Sequence, residues 1–444
     1  MKKIFILGAG LVAGPTVRYL LERTEFEIRV ADVEHEKAAR LVGGHSRGSS
    51  VGLDLRNHDA VRREIEQADI IISMVPYAFH PVIAGHCLGS KKHLITASYI
   101  GPAMKSLSAK VKEKGLVFLN ELGLDPGIDH MEALRIIHEV KSRGGIVEEF
   151  TSYCGGIPSP EANTNPFGYK FSWSPMGVLQ ASKNPARFLM KGEIMTISPE
   201  RLFADPVPVS IPGVGVLEGY PNRDSVPYAE IYGIPETRTI VRGTLRYPGW
   251  CLAMKKLGEL GFLDQEVKDL RGVTFSGFLR GLMPASAGKD LKRELTGLLK
   301  LEGNPEVVDS LEWLGLLSDG NLPFERGSAL DILAHAMIEK LRYLPGERDM
   351  IVLQHDFLVS YPGPSKERIF STLIDFGVPF GDSAMSRTVG LPVAIAAKLL
   401  LEGRIHRAGV QIPDIPEIYL PLLEELRTFG IAFKQKHTEE GRLS

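Results

Sequence analysis

Short apolar runs alternate with helical stretches in the first part of the chain, and this alternation constrains the fold more than any other feature of the sequence. The runs are continuously apolar, as in strands that are covered on both faces of a parallel sheet. Strands joined by helical crossovers form an open, doubly wound α/β domain of the Rossmann type. The predicted strands are Lys3–Leu7, Glu27–Ala31, Ser50–Leu53, Asp69–Val75, His93–Ala97 and Leu116–Leu119. The predicted helices are Leu11–Glu22, His35–Leu41, His58–Gln67, Pro81–Leu88 and Pro102–Lys112.

A glycine-rich turn joins the first predicted strand to the first predicted helix and matches the pattern G-x-G-x-x-A. Its first glycine permits a tight turn, its second lets the backbone approach a pyrophosphate, and its last small residue lets the helix lie close to the strand. The start of the helix presents N–H groups and a positive dipole end to the phosphates. The sequence therefore predicts a dinucleotide site at Gly8, Ala9, Gly10, Leu11, Val12 and Ala13.

Asp32 ends the second predicted strand, about 20 residues beyond the glycine turn, where a carboxylate accepts hydrogen bonds from the adenosine ribose. The carboxylate would repel a 2′-phosphate, and Val33 offers no cation to receive one. We therefore predict NAD as the cofactor. NADP is the alternative, since His35, Lys37 and Arg40 follow closely. Asp32 as a cap of the next helix is a further alternative. Asp54, after the third predicted strand, is assigned equally to the adenine side of the cofactor and to a helix cap.

Ligands of an open parallel sheet lie beyond the carboxyl ends of its strands, so the loops that follow the later strands are expected to surround the nicotinamide. These loops span residues 75–81, 97–100 and 120–127. By position alone, His80, Tyr99 and Asp125 are candidates for the acid or base of a reaction. Asp125 has the alternative of capping the next helix from an Asp-Pro-Gly turn.

The rest of the chain changes in character. Residues 145–249 are rich in Gly, Pro and aromatics, with β-like stretches at Ile146–Tyr153 and Thr237–Arg242. Residues 250–344 are helical in pattern, and a β-hairpin is predicted at Met350–Ser360 and Glu367–Phe376. An apolar helix, Met385–Leu401, precedes a polar tail. We predict three domains: 1–130 with 385–444, the Rossmann domain; 131–249 with 346–384, a second α/β domain for substrate binding and dimerisation; and 250–345, a helical insertion.

Composition excludes several classes of function. The 52 basic and 54 acidic residues nearly cancel, so neither nucleic acid nor a membrane surface is an expected partner. No apolar run reaches the ~18–20 residues that span a bilayer. Three cysteines fit a reducing, cytoplasmic location rather than a disulfide framework. No His or Cys spacing predicts a metal site. Arginines clustered near residues 223 and 242–246 suggest an acidic small-molecule substrate, because arginine recognises carboxylates through two hydrogen bonds.

At these motifs the chain resembles the saccharopine reductase family, the glutamate-forming saccharopine dehydrogenases. The matching stretches follow one another along nearly the whole chain. They are Gly8–Ala13, Val75–Pro81, Ser98–Pro102, Asn120–His130, Tyr153–Gly156, Gly168–Ser174, Tyr220–Ser225, Val241–Tyr247, Glu347–His355 and Thr388–Lys398.

The resemblance implies a homodimer that oxidises the secondary amine of saccharopine with a nicotinamide cofactor. Water then releases L-glutamate and 2-aminoadipate 6-semialdehyde from the imine, in a reversible reaction of lysine metabolism. The three carboxylates of saccharopine account for the arginines. The resemblance places Ser98, Tyr99, Asp125, Arg223, Thr244, Leu245 and Arg246 at the substrate. It places Gly8–Ala13, Asp54, Val75, Ala97, Leu124 and Trp173 or Ser174 at the cofactor. Family members that use NADP carry a cation just after the second strand, where this chain has Val33. NAD therefore remains the predicted cofactor, ahead of NADP.

Two other functions remain open from the sequence. One is a related carboxyspermidine or carboxynorspermidine dehydrogenase, which would need acidic groups to hold a polyamine. The other is a non-catalytic NAD-binding scaffold that keeps the fold and binds the cofactor without oxidising an amine.

Overall fold

The computed structural model describes residues 1–284, 290–363 and 366–440. The end of the predicted polar tail, residues 441–444, lies outside the described residues. The chain forms two compact units. The first unit comprises Met1–Val147, Val359–Glu367 and Leu373–Ser444, and the second comprises Glu148–Leu358 and Arg368–Thr372.

Strands are numbered in chain order. They are β1 (Lys3–Leu7), β2 (Glu27–Asp32), β3 (Gly48–Gly52), β4 (Ile70–Ser73), β5 (His93–Thr96), β6 (Val117–Leu119), β7 (Ile146–Pro158), β8 (Ala186–Met190), β9 (Glu193–Ile197), β10 (Val207–Ile211), β11 (Gly215–Pro221), β12 (Thr239–Arg246), β13 (Lys268–Asp269), β14 (Arg326–Gly327), β15 (Asp349–Ser360), β16 (Lys366–Phe376), β17 (Gly409–Gln411) and β18 (Lys434–Glu440).

Helices are numbered in the same way. They are α1 (Gly14–Arg23), α2 (His35–Val42), α3 (His58–Glu66), α4 (His80–Gly89), α5 (Pro102–Ser106), α6 (Ser108–Glu113), α7 (Ile128–Ser142), α8 (Pro175–Ala181), α9 (Tyr228–Ile231), α10 (Trp250–Glu259), α11 (Phe275–Leu282), α12 (Leu291–Leu298), α13 (Pro305–Trp313), α14 (Ala329–Lys340), α15 (Ala384–Leu401) and α16 (Pro416–Thr428).

A parallel sheet forms the centre of the first unit, with the strand order β17-β6-β5-β4-β1-β2-β3. Each neighbouring pair is parallel. The order reverses between β1 and β4, which makes this edge the topological switch point where ligands of such sheets bind. The α/β, doubly wound fold predicted from the continuous apolar strands is confirmed, with β17 as a seventh strand that the sequence pattern missed.

Burial explains why these segments form strands. In β1 and β4 every residue except Lys3 is buried, so both faces of the sheet are covered by helices. Helix α15 lies very close to α1: a Cβ on Gly390 would approach the Val12 carbonyl oxygen to 2.7 Å. The Thr16 hydroxyl donates to the Gly390 carbonyl oxygen at 2.9 Å. A glycine at position 390 therefore lets the returning C-terminal segment cover the helix that follows the glycine turn.

The second unit contains a mixed sheet in which β10, β11, β12, β7 and β15 lie side by side. Strand β12 is parallel to β7 and antiparallel to β11. Strands β15 and β16 are neighbours in the sheet, as predicted for the hairpin. A large apolar core in this unit joins residues of the 167–203 region to helices α10–α14, around Trp250 and Met254. The helical segment thus shares a core with the second unit, and its division into a separate domain stays a prediction.

The secondary structure of the C-terminal part differs from the expected polar tail. The predicted polar tail instead contains β17, α16 and β18, and α16 buries Ile418, Leu422 and Leu426. Within the described ranges, α15 is also the one helix long and apolar enough to cross a membrane. Most of it, 78%, is buried inside the protein, which is typical of a core helix.

Candidate active site

The carboxyl ends of the parallel strands bring most of the predicted site residues of the first unit to one edge. The glycine turn follows β1, Asp32 is the last residue of β2, and the loops after β4, β5 and β6 complete the edge. These later loops carry Val75, His80, Ala97, Ser98, Tyr99, Leu124 and Asp125.

The glycine turn has the geometry that a pyrophosphate needs. Gly8 has a φ of +102°, and a Cβ there would lie 2.7 Å from the Met74 carbonyl oxygen, so a side chain is excluded. A Cβ on Gly10 would meet no atom within 4 Å, which leaves its main chain open to a ligand. Ala13 is fully buried. Helix α1 begins at Gly14, later than the predicted Leu11, and its first turn has no side-chain cap. Its N–H groups therefore suit phosphate oxygens.

Asp32 connects this turn to the loop after β2. Its Oδ2 accepts the Ala9 N–H at 2.8 Å, and its Oδ1 accepts the Glu34 N–H at 2.9 Å. The N-cap position of α2 is Glu34, so Asp32 is not the helix cap. Each carboxylate oxygen has a second lone pair that is able to accept a ribose hydroxyl. The neighbouring Val33 is 70% exposed.

Asp54 lies two residues beyond β3 and forms an ion pair with Arg56, with Oδ2 and Nη2 2.6 Å apart. Hydrogen bonds from the Arg56 side chain lower the pKa of Asp54 to about 2. The cap of α3 is Asn57, whose side chain accepts the Ala60 N–H. The helix-cap alternative for Asp54 was therefore wrong, and its assignment to the cofactor stays a prediction.

His80 lies at the start of α4 and is 3% exposed. Its Nδ1 is 2.9 Å from the Ser73 hydroxyl, and its Nε2 is 2.8 Å from the Ser98 hydroxyl. Burial lowers the pKa of His80 to about 4. The imidazole is therefore neutral near pH 7 and bonded to the Ser98 hydroxyl, and its role in catalysis stays a prediction.

Tyr99 and Asp125, predicted separately from two loops, are in contact. The Tyr99 hydroxyl donates to Asp125 Oδ1 at 2.9 Å, and both side chains are partly buried. A small pocket lies beside Tyr99 and is also lined by Tyr77, His80 and Asn120. A phenol bonded to a carboxylate next to an open pocket is a suitable acid–base pair.

The sequence reasoning missed the role of Glu121 in this loop system. The sequence places Glu121 in the loop of residues 120–127 but predicts no role for it. It is 6% exposed and bonded to His130, which is fully buried in the first turn of α7. The E-x₈-H spacing alone does not reveal the contact, because it depends on the path of the intervening loop.

The second unit holds the predicted arginines. Arg246, the last residue of β12, is 5% exposed, and its guanidinium lies 4.7 Å from the Tyr169 ring centroid and 5.6 Å from that of Trp250. Its Nη1 donates to the Leu245 carbonyl oxygen at 2.7 Å, whereas its Nε has no hydrogen-bond partner. Among the described residues, no carboxylate forms an ion pair with Arg246. A buried cation of this kind is costly unless an anion compensates it.

The other predicted residues of the second unit, except Leu245, are more exposed than Arg246. Arg223 has a φ of +56° in the loop after β11, and its carbonyl oxygen accepts the Arg187 N–H at 2.8 Å. Thr244 is partly buried and Leu245 is buried, both in β12. Ser174 caps α8 by accepting the Gly177 N–H. Trp173 lies against Gly177, where a Cβ would approach its ring to 2.7 Å.

Metal and disulfide chemistry find no support in the part of the chain that the structure describes. No group of three or more His, Cys, Asp or Glu side chains is arranged to hold a metal there. The three cysteines, Cys87, Cys154 and Cys251, are all buried, and no disulfide links them.

Comparisons with known proteins agree with this geometry. Two family models match in sequence, the saccharopine dehydrogenase NADP binding domain over residues 4–119 and the saccharopine dehydrogenase C-terminal domain over residues 123–431. The apo, histidine-tagged saccharopine dehydrogenase (L-Glu forming) of Saccharomyces cerevisiae superposes with a TM-score of 0.90 at 37% identity. It covers 99% of this chain and 100% of that one.

Two curated relatives extend the comparison. The saccharopine dehydrogenase [NADP(+), L-glutamate-forming] of Pyricularia oryzae is 38% identical over 98% of this chain and 99% of its own. The mitochondrial alpha-aminoadipic semialdehyde synthase of Bos taurus is 40% identical over 98% of this chain, which spans only 48% of that protein. The predicted nicotinamide cofactor is confirmed, and these names favour NADP over the NAD that Asp32 and Val33 placed first. The chain belongs to the saccharopine dehydrogenase family.

Proposed function

We propose that the chain catalyses the reversible, NAD(P)-dependent oxidation of the secondary amine of saccharopine to an imine, whose hydrolysis yields L-glutamate and 2-aminoadipate 6-semialdehyde. In this oxidation the carbon beside the amine loses a hydride and the nitrogen loses a proton. Water then adds to the C=N bond, and the C–N bond breaks to give the aldehyde and the amino group of glutamate. The family membership and the full-length relatives named for this activity support the proposal.

The observation that carries the proposal is the buried guanidinium of Arg246. It stacks on Tyr169 and Trp250, its Nε lacks a partner, and no described carboxylate pairs with it. A substrate carboxylate would supply the missing charge and accept the Nε hydrogen. Saccharopine has three carboxylates, whereas a carboxylated polyamine has one carboxylate among several cationic amines. The site therefore favours an acidic amine substrate over the substrates of carboxyspermidine dehydrogenases.

Tyr99 and Asp125 are the groups we assign to proton transfer. The hydrogen bond from the Tyr99 hydroxyl to Asp125 Oδ1 lets the pair exchange a proton with the amine or with the attacking water. His80 is then a positioning residue that holds the Ser98 hydroxyl beside Tyr99. The remaining rate acceleration would come from holding cofactor and substrate together.

The residues that would hold the dinucleotide are the glycine turn, the first turn of α1 and Asp32. When bound, the nicotinamide accepts the hydride of the substrate. The open main chain at Gly10 and the uncapped start of α1 support this assignment.

A pair of condensation assays tests this substrate assignment. The purified protein is given reduced cofactor with L-glutamate and 2-aminoadipate 6-semialdehyde, and separately with a diamine and aspartate semialdehyde. We expect cofactor oxidation only with the first pair. Cofactor oxidation with the second pair alone would indicate a carboxyspermidine or carboxynorspermidine dehydrogenase. Cofactor binding without oxidation in either assay would indicate a non-catalytic scaffold.

Assembly and location complete the proposal. We propose a homodimer, as the resemblance implies, and sedimentation velocity at several concentrations would test it. A cytoplasmic location is supported by the three buried cysteines, none of which forms a disulfide. Cell fractionation with antibody detection would test the location, with a mitochondrial fraction as the opposing outcome.

A further inference from the structure

Glu121 holds the main chain on both sides of Tyr99. Its own N–H donates to the Ser98 carbonyl oxygen at 3.1 Å. Its side-chain Oε1 accepts the Ile100 N–H at 3.0 Å. The residues before and after Tyr99 are thus bonded to a single residue of the next loop.

Glu121 is itself held firmly. His130 Nε2 donates to its Oε2 at 2.7 Å, and the His130 ring is fully buried. Asp129 closes the same loop, because its Oδ1 accepts the Gly127 N–H at 2.6 Å and its Oδ2 lies 3.7 Å from His130 Nδ1. The loop that carries Asp125 is therefore fixed to the first turn of α7 through Glu121 and Asp129.

Glu121 is also an energetically unfavourable residue for a connecting loop, because of its backbone conformation and its burial. It has a φ of +56°, a left-handed backbone conformation that is strained for a residue other than glycine. Its carboxylate is 6% exposed, so it has lost most of its solvation. Such features persist where the surrounding structure enforces them, and they cluster at functional sites.

We propose that Glu121 is a positioning residue for the reaction, fixing the Tyr99 main chain so that the hydroxyl meets Asp125, with His130 orienting the Glu121 carboxylate. This inference rests on the proposed function, in which Tyr99 and Asp125 transfer the proton. The tyrosine hydroxyl lies at the far end of a long side chain, so a small rotation of its main chain displaces it strongly. A misplacement of about 1 Å at a reacting group costs about 100-fold in rate.

Three substitutions separate geometry from charge. Glu121→Gln keeps an oxygen for the Ile100 N–H, Glu121→Asp keeps the charge on a side chain one carbon shorter, and Glu121→Ala removes both. We expect kcat to fall about tenfold or more in the Asp and Ala variants and to stay within about threefold of wild type in the Gln variant. The dissociation constant of the cofactor should stay within about twofold in all three, because the glycine turn is unchanged. A Gln variant as slow as the Asp variant would overturn the inference.

A double-mutant cycle tests whether Glu121 acts through Tyr99. In a Tyr99→Phe background, Glu121→Asp should reduce kcat by less than about twofold further, because there is no hydroxyl left to position. A purely structural role for Glu121 would instead give multiplicative losses, and that result would contradict the proposal. The Asp and Gln variants decide the question even if the Ala variant does not fold.

The matched control is Glu132→Gln, since Glu132 is 2% exposed, lies on α7 and pairs with Arg135. We expect Glu132→Gln to keep the kcat of the wild type, although it loses about as much thermal stability as the Glu121 variants.

A readout without turnover separates failure of this inference from failure of the proposed function. In protein carrying ¹³C-labelled tyrosine, the Tyr99 ring resonance is assigned by its absence from Tyr99→Phe. Its chemical shift should change in Glu121→Asp and stay the same in Glu121→Gln and Glu132→Gln. An unchanged chemical shift of Tyr99 in Glu121→Asp would overturn the positioning role of Glu121. This result would count even if the wild-type protein does not oxidise saccharopine.

Discussion

The Tyr99 hydroxyl donates a 2.9 Å hydrogen bond to Asp125 Oδ1, joining the loop after β5 to the loop after β6. Neither side chain is fully buried, and a pocket opens beside Tyr99. A hydrogen bond from a phenol to an ionised carboxylate is stronger than one between neutral groups, so it holds the two side chains together. This contact is the centre of the proposed chemistry.

Asp125→Asn should reduce kcat about 100-fold or more, because the amide no longer accepts a proton from Tyr99. Cofactor affinity should stay within about twofold, since Asp125 lies in the loop after β6 and the glycine turn is unchanged. Steady-state kinetics with fluorescence titration of the cofactor would check both values. A near-wild-type rate would remove Asp125 from the mechanism.

Arg246→Met should lower kcat/KM for saccharopine about 100-fold or more, because it removes the buried partner of a substrate carboxylate. The unfolding free energy of the ligand-free protein should hold or rise, since an uncompensated buried charge is replaced by an apolar side chain. Enzyme kinetics and urea unfolding measure the two effects.

Arg242→Met is the control for that variant, because Arg242 is also buried in β12 and lies 4.2 Å from the Tyr228 ring centroid. We expect it to change stability more than substrate affinity. Equal losses of kcat/KM in both variants would mean that Arg246 acts only through folding.

His80 should make stability depend on pH. Its pKa is lowered to about 4 in the folded protein, mainly by burial, against an ordinary value of 6.5. Between these values the unfolded chain binds a proton that the folded protein does not, so stability falls as the pH drops from about 6.5 to about 4. The contribution of His80 over this window is about 3 kcal/mol. Urea unfolding of wild type and His80→Gln across the window should give curves that converge at low pH, and parallel curves would contradict the prediction.

Val33→Arg should strengthen NADP binding about tenfold and leave NAD binding nearly unchanged, because a guanidinium beside Asp32 would receive the 2′-phosphate. Val33 is 70% exposed, so the longer side chain requires no repacking. Isothermal titration of both cofactors with both proteins provides the measurement. Equal changes for NAD and NADP would show that position 33 does not face the ribose.

Much of the first unit was predictable because its strands are continuous apolar runs with polar or glycine boundaries. Strand β2 extends one residue past its prediction, to Asp32, and β4 lies within its predicted range. Strand β17 was not predicted because Gly409–Gln411 is only three residues long and has no apolar run. Helix α16 was not predicted, although Ile418, Leu422 and Leu426 repeat at the spacing of a helix.

The site was only partly predictable for a different reason. Tyr99 and Asp125 were found because strand ends converge at one edge of a parallel sheet. Glu121 is bonded to both neighbours of Tyr99 through main-chain groups of two different loops. Residue types alone do not predict such hydrogen bonds. The missing partner of Arg246 is likewise a property of long-range packing, since Tyr169 and Trp250 come from distant positions.

The most direct measurement is the initial rate of nicotinamide reduction with purified protein and saccharopine, run with NADP and with NAD, and with chromatographic identification of the products. The account predicts reduction of at least one cofactor, with L-glutamate and 2-aminoadipate 6-semialdehyde formed in equal amounts to the reduced cofactor. Binding of both cofactors without reduction of either by saccharopine would contradict it.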